Sequence, residues 1–163
     1  MPDLLALCER LDQSAMGAAV RESLWLFPTI ETVHLLGMAA LVGTVAVLDL
    51  RLLGWAMRRE RVSALAGRLL PWAWAGFAVQ VVTGVLLFSS EAVKVYSNPA
   101  FRLKMLLIFL AGMHALIFHW IVYRDVANWD EGALLPMKAK VSGFVSILLW
   151  TGIIAAGRFI GFV

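Results

Sequence analysis

Four apolar stretches, roughly 29–54, 70–90, 103–123 and 140–162, each reach the ~20 residues that a helix needs to cross a ~30 Å hydrocarbon layer. Inside lipid no water is available to satisfy backbone N–H and C=O groups, so four such stretches predict four helices. The expected fold is therefore all-α: a four-helix transmembrane bundle. At 61% hydrophobic residues and a mean hydropathy of +0.83, the chain lies outside the range of a soluble domain. The spans leave no room for a second core, and residues 1–163 read as one integral membrane domain embedded in a lipid bilayer.

The segment before Pro28 carries Asp3 and Glu9 early and has no basic n-region, so it does not read as a cleaved signal peptide. Leu4, Leu7, Leu11 and Ala15 recur at helical spacing opposite Asp3, Arg10 and Asp12, which predicts a short amphipathic interfacial helix at the N-terminus. Arg58, Arg59, Arg61 and Arg68 crowd the first loop, and the positive-inside rule places that loop in the cytoplasm with both termini periplasmic. The third loop agrees through Arg124, Lys138 and Lys140, diluted by Asp125, Asp130 and Glu131. These loops account for the net charge of +3, and nothing calls for nucleic acid. Cys8 is the only cysteine, which excludes an internal disulfide and any multi-cysteine metal site.

Ionisable side chains inside spans are costly and ordinarily face the bundle. Placed by depth at ~1.5 Å per residue, they form two levels. His34, Glu91, Lys104 and Arg158 fall roughly 12–17 Å outward of the span centres, with Glu31 and Arg102 just above them. Asp49 and His119 fall about 9 Å inward, Arg51 one turn beyond, and His114 lies near the midplane. Glu31 precedes His34 by one turn and is placed to orient its ring. Five residues separate His114 from His119, about 140° of helix rotation, so both cannot face one centre. Stepping back from His119 meets Ala115, Ala111 or Gly112, and Lys104, a stripe of small and polar residues; stepping back from His114 meets leucines. His119 and Lys104 are accordingly expected in the interior, with His114 at a helix seam. Asp49 and Arg51 are expected beside His119, because an unpaired carboxylate at that depth is expensive. Gln80, Thr83, Gly84, Ser142, Gly143 and Ser146 read as packing and inter-helix hydrogen-bonding residues. Trp25, Trp72 and Trp74 read as interfacial anchors, whereas Trp150 falls mid-span, where it either fills the core or lines a ring-shaped ligand.

The blocks "FPTIETVHLLGMAALVGTVAVLDLRLLG" and "NPAFRLKMLLIFLAGMHALIFH" resemble an uncharacterised family of small bacterial four-span membrane proteins, a likeness that runs from Trp25 onward. It implies a bacterial inner-membrane location and brings no activity with it. More distantly, His34, Arg51, Lys104 and His119 are similar in placement to residues of HemJ-type protoporphyrinogen oxidases and CopD-type copper-transport domains. That likeness implies a haem b or copper site within the bundle.

Three functions follow as expectations, and no catalytic constellation is legible in any of them. The first is a haem b protein for electron transfer or a redox reaction. His34 is its axial ligand, and Arg102, Lys104 or Arg158 pairs the propionates. His34 and His119 differ by more than ~20 Å in level, so they do not clamp one iron: either His119 or His114 serves a second site, or His34 holds a single site with a non-histidine partner. Such a protein implies a periplasmic or membrane redox partner, and homo-oligomerisation stays open. The second is copper handling, with His34 and Met38 one turn apart and Met105 and Met113 in the third span as soft ligands. The third is a non-catalytic membrane subunit or a proton path through Asp49 and His119.

Overall fold

The computed structural model describes the backbone of residues 2–130 and 135–162, all helix and turn with no strand among them. Glu131 lies outside the described residues, as does the side chain of Asp3. Two short helices, α1 (Pro2–Asp12) and α2 (Ala15–Glu22), precede α3 (Leu26–Leu53) and α4 (Val62–Ser90). A short α5 (Ala92–Ser97) leads into α6 (Pro99–Ile117), which continues through a π-helical turn (Phe118–Val122) and a 3-10 segment (Tyr123–Asn128); α7 (Met137–Phe159) follows. Four of these helical runs, Leu26–Leu53, Val62–Ser90, Pro99–Asn128 and Met137–Phe159, are long and apolar enough to cross a membrane. The fold is the expected four-helix bundle of an integral membrane protein, with alternating helix directions. One end, here the terminal end, carries α1, α2, α5 and the end of α7; the other, the loop end, carries residues 54–61, 129–130 and 135–136.

Local chemistry sets the boundaries. Ser14 takes an extended conformation and its Oγ accepts from the Gly17 N–H, so the N-terminal segment breaks into two helices rather than one. Helix α3 stops at Gly54, whose φ of 76° is left-handed; its own amide donates to the Arg51 carbonyl and the following Trp55 amide returns to the Leu50 carbonyl. Asn98 caps α6 through the Ala100 and Phe101 amides, with Pro99 at the first helical position, where its missing N–H costs nothing.

Helix α4 starts about eight residues before the expected position, so Arg68 sits in its second turn rather than in the loop. The extra turns are held by burial of Val62, Leu65 and Ala66, and by the Asp130 carboxylate, which accepts from the Ser63 N–H at 2.8 Å and from the Ser63 hydroxyl. Pro71 is exposed on the outer surface of the helix, between the exposed Trp72 and the residues of the first turns.

Glycine lets α3 and α4 approach closely. A Cβ on Gly76 would lie 2.9 Å from the Leu41 nitrogen and 3.0 Å from the Gly37 carbonyl oxygen, and one on Gly37 would lie 2.6 Å from a Val79 methyl. Helix α7 packs on α3 and also on α6. The packing order is therefore α4, α3, α7, α6, and the fourth side of the bundle is open: no Cα of α4 comes within 8 Å of a Cα of α6. That side is bridged only near its ends. At the terminal end the Phe88 and Phe101 rings stack at 5.3 Å, and at the loop end Asp130 reaches Ser63. Consistent with this, α6 has no buried residue along its α-helical length.

The loop end is closed by an apolar cluster of Leu52, Val62, Val122, Leu135 and Ala139, with Leu48, Phe118, Val126 and Trp129 against it. The terminal end is crossed by α1 and α2, where Gly17 rests against the Ser89 carbonyl and the Arg21 guanidinium donates to the Ser90 carbonyl at 2.8 Å while pairing with Asp12. The expected apolar stripe of the interfacial helix is split: Leu4 and Leu7 are exposed, whereas Cys8 is buried.

Candidate functional site

At the terminal end, His34 of α3 turns toward α4. Its Nδ1 lies 2.7 Å from the Thr83 Oγ1, and that hydroxyl is also 2.5 Å from the Val79 carbonyl one turn back on its own helix. A hydroxyl has one hydrogen. With it directed to Val79, the bond to His34 requires Nδ1 to be the donor, which leaves the lone pair of Nε2 free. Gln80 fixes the same turn of α3 by donating from Nε2 to the His34 carbonyl. Gly84 faces the ring, and a Cβ there would stand 3.6 Å from Cε1, an ordinary van der Waals contact.

Lys104, at the start of α6, is the cation within Coulombic reach of this imidazole. Its stem lies along Gly157 of α7, where a Cβ would be 3.4 Å from Nζ. No hydrogen bond or ion pair satisfies the ammonium among the described residues. His34 and Lys104 thus come from helices with no Cα pair within 8 Å and lie within Coulombic reach of each other, with Thr83 of α4 beside one and Gly157 of α7 beside the other.

The other expected members do not join them. Glu31 is exposed and has no hydrogen bond or ion pair among the described residues. Arg102 donates to the Tyr96 carbonyl and lies over its ring, and Arg158 is exposed over the Phe162 ring at 4.8 Å. Glu91 pairs with Lys94 at the surface. Trp150 is half-buried and makes no ring contact among the described residues. Equal depth brought these residues to one level, but depth carries no information about which way a side chain faces.

Of the two later histidines, His114 lies at a helix seam as expected, and it, rather than His119, takes the inward-facing place on α6. His119 is exposed and stacks on Tyr123 at 5.8 Å, remote from the interior, while His114 faces α7 with its Nε2 3.0 Å from the Ser142 hydroxyl. The seam of α6 runs through Lys104, Leu107, Ala111, His114 and Phe118, all half-buried, at steps of three and four. That is the 3.5-residue period of supercoiled helices, on which His114 stays on the seam and His119 drifts off it. A straight 3.6-residue projection selects the wrong histidine.

Asp49 does not meet His119 either. It is buried at 4% exposure against α7, where a Cβ on Gly143 would lie 2.9 Å from its carbonyl oxygen. Ser146 is the hydrogen-bonding side chain beside its carboxyl group, and its Oδ2 has no partner. Arg51 forms no ion pair with it. Instead the equally buried Arg51 donates from Nε to the Glu60 carbonyl at 2.8 Å, holding the first loop. Ser142 and Ser146 are one turn apart on α7, so His114, Ser142, Ser146 and Asp49 form a line of polar groups across α6, α7 and α3. The two serines, and Thr83 at the other site, act as the inter-helix hydrogen-bonding residues the sequence suggested; which side chains they meet in space was the missing information.

Outside the spans, Asp130 is buried yet held below the usual carboxylate range. Desolvation acts against this, but the hydroxyl and amide of Ser63, the Val62 amide and the charge of Arg61 outweigh it. Its role is structural, joining the loop before α7 to the start of α4.

Among the described residues no group of three or more His, Cys, Asp or Glu is arranged to hold a metal ion. Met105 and Met113 are exposed on α6, so the soft ligands expected for copper do not gather around His34 and Met38. No curated protein and no solved structure matches the chain. Residues 14–163 match a family of unknown function, DUF6644, and by that match over most of its length the chain belongs to this family.

Proposed function

We propose that the protein holds a planar, anionic ligand at the terminal end of the bundle, and that haem b in a redox or electron-transfer role is that ligand. The observation carrying this reading is the setting of His34: its Nδ1 lies 2.7 Å from the Thr83 hydroxyl, and with that hydroxyl's hydrogen on the Val79 carbonyl it is Nε2 that is free to ligate. The residues present fit the group. A histidine oriented by a hydrogen bond through its distal nitrogen is the ordinary protein ligand to haem iron. Lys104 supplies an uncompensated positive charge for a carboxylate, and the Cα traces of α4 and α6 stay more than 8 Å apart on the fourth side of the bundle. When bound, haem supplies one-electron chemistry; the chain's own residues orient the imidazole and neutralise the carboxylates. The test is the reduced-minus-oxidised absorption spectrum of the purified protein, in which sharp haem b bands support the reading and a featureless spectrum refutes it.

A second reading rests on a separate observation, the buried Oδ2 of Asp49 without a partner. An oxygen in that condition is expensive unless it exchanges a proton or ligand. In this reading the polar line from Asp49 through Ser146 and Ser142 to His114 handles protons within the membrane. Proton uptake by proteoliposomes under an imposed potential, absent in Asp49→Asn, is its test; uptake no faster than in empty vesicles removes it.

A further inference from the structure

At the loop end, diagonally removed from His34, a groove of about 320 Å³ runs between the end of α3 and the start of α7, lined by Leu53, Gly54, Trp55, Arg58, Leu135 and Lys140. Its two charged residues are both basic. Neither Arg58 nor Lys140 has an acidic partner among the described residues, although Glu60 in the same loop is engaged by Arg68.

The backbone prepares one of these cations. Gly54 and Met57 both take positive φ, 76° and 52°, a tight turn that folds Arg58 back so that its Nε donates to the Gly54 carbonyl. Arginine has five N–H donors in a rigid fork. With Nε fixed from behind, the terminal pair remains for a tetrahedral or planar anion, a bidentate geometry that phosphate matches. Lys140, half-buried on the first turns of α7, adds a second charge from the facing wall.

The remaining lining selects the source of the phosphate. Trp55, 69% exposed, stands beside Leu53 and Leu135 at the ends of two membrane-crossing helices, which is headgroup depth. A soluble anion makes no use of an exposed indole and two leucines, whereas a phospholipid places its glycerol and upper chain against them. We propose that this groove is a binding site for an anionic phospholipid, its phosphate held by Arg58 and Lys140 and its glycerol region packed on Trp55. The site is independent of the proposed ligand at His34.

The test compares thermal unfolding of the full-length protein in a neutral detergent with added phosphatidylglycerol, phosphatidylcholine or inorganic phosphate. Phosphatidylglycerol is expected to raise the midpoint by several degrees over phosphatidylcholine, phosphate alone to have no effect, and the Arg58→Gln/Lys140→Gln variant to lose the preference. Arg124→Gln, which removes a loop-end cation outside the groove, is expected to keep it. Arg58→Lys retains the charge but not the fork, and is expected to show an intermediate preference even if the double variant does not fold. Equal stabilisation by the two lipids overturns the proposal, and so does a preference that survives in the double variant or in undiminished form in Arg58→Lys. Stabilisation by phosphate alone, matching that by phosphatidylglycerol, overturns the lipid assignment. Haem content at His34 is read separately in the visible spectrum and does not enter this comparison.

Discussion

The Thr83 hydroxyl stands between the His34 Nδ1, at 2.7 Å, and the Val79 carbonyl, at 2.5 Å, so that one threonine fixes both the tautomer and the plane of the imidazole. Replacing it by valine keeps the shape and removes the acceptor. On the proposed function, Thr83→Val retains fold and insertion but weakens ligand binding by about 10- to 100-fold, the usual cost of losing a hydrogen bond behind a ligating histidine. Titration of the ligand-stripped variant with haem, followed by absorbance, measures it. An affinity equal to that of the unmodified chain means the threonine does not orient the ring.

The α3–α4 crossing depends on the absence of a side chain at Gly76. Gly76→Val forces atoms into the Leu41 and Gly37 backbone and is expected to destabilise the bundle by about 1–3 kcal/mol or more, as overpacking does. Gly43→Ala on α3 is the control: a Cβ there has nothing within 4 Å, and alanine is the better helix former. Unfolding in graded denaturing detergent should separate the two variants, and equal stability would show that the helices do not cross at Gly76.

Asp130 gives the stability a pH dependence of defined sign. Its carboxyl is held below the usual range in the folded chain, so its contribution is fully present above the unfolded value of about 4 and is lost as pH falls through the lower folded value. The difference in melting temperature between the unmodified chain and Asp130→Asn should therefore be constant from pH 7 down to about 4 and shrink at lower pH. A difference that grows as the solution is acidified contradicts the assignment.

The architecture was legible because it follows from length and apolarity alone: four stretches long enough for lipid have no other way to satisfy their backbones. Boundaries were less so. Arg68 was read with the basic loop, but the carboxylate that holds the earlier start of α4 comes from Asp130, 67 residues along the chain from Ser63. For the site, depth grouped residues by level and correctly placed His34 with Lys104. It equally admitted Arg158, Arg102 and Glu31, which face outward, since depth says nothing of azimuth. The exchange of His114 for His119 arose from the choice of helical period, a difference of a tenth of a residue per turn accumulated from Lys104 onward.

Asn98 ties the terminal end together, since its Oδ1 caps α6 while its Nδ2 donates to the Ile160 carbonyl at 3.1 Å. Asn98→Ala loses the cap and the Ile160 contact and should cost about 1–2 kcal/mol, whereas Asn98→Asp keeps the cap and loses the amide donor to Ile160. Thermal melts that rank Asp below Ala would contradict this division.

The central claim is that His34, and neither of the other histidines, carries the ligand. It is tested most directly by the haem content per protein of three purified variants, His34→Ala, His114→Ala and His119→Ala, read from reduced-minus-oxidised spectra against the unmodified chain. The account predicts haem in the unmodified chain, its loss in His34→Ala, and its retention in the other two, because His114 is engaged by Ser142 and His119 is exposed beside Tyr123. Full haem content in His34→Ala, or no haem in the unmodified chain, would contradict it.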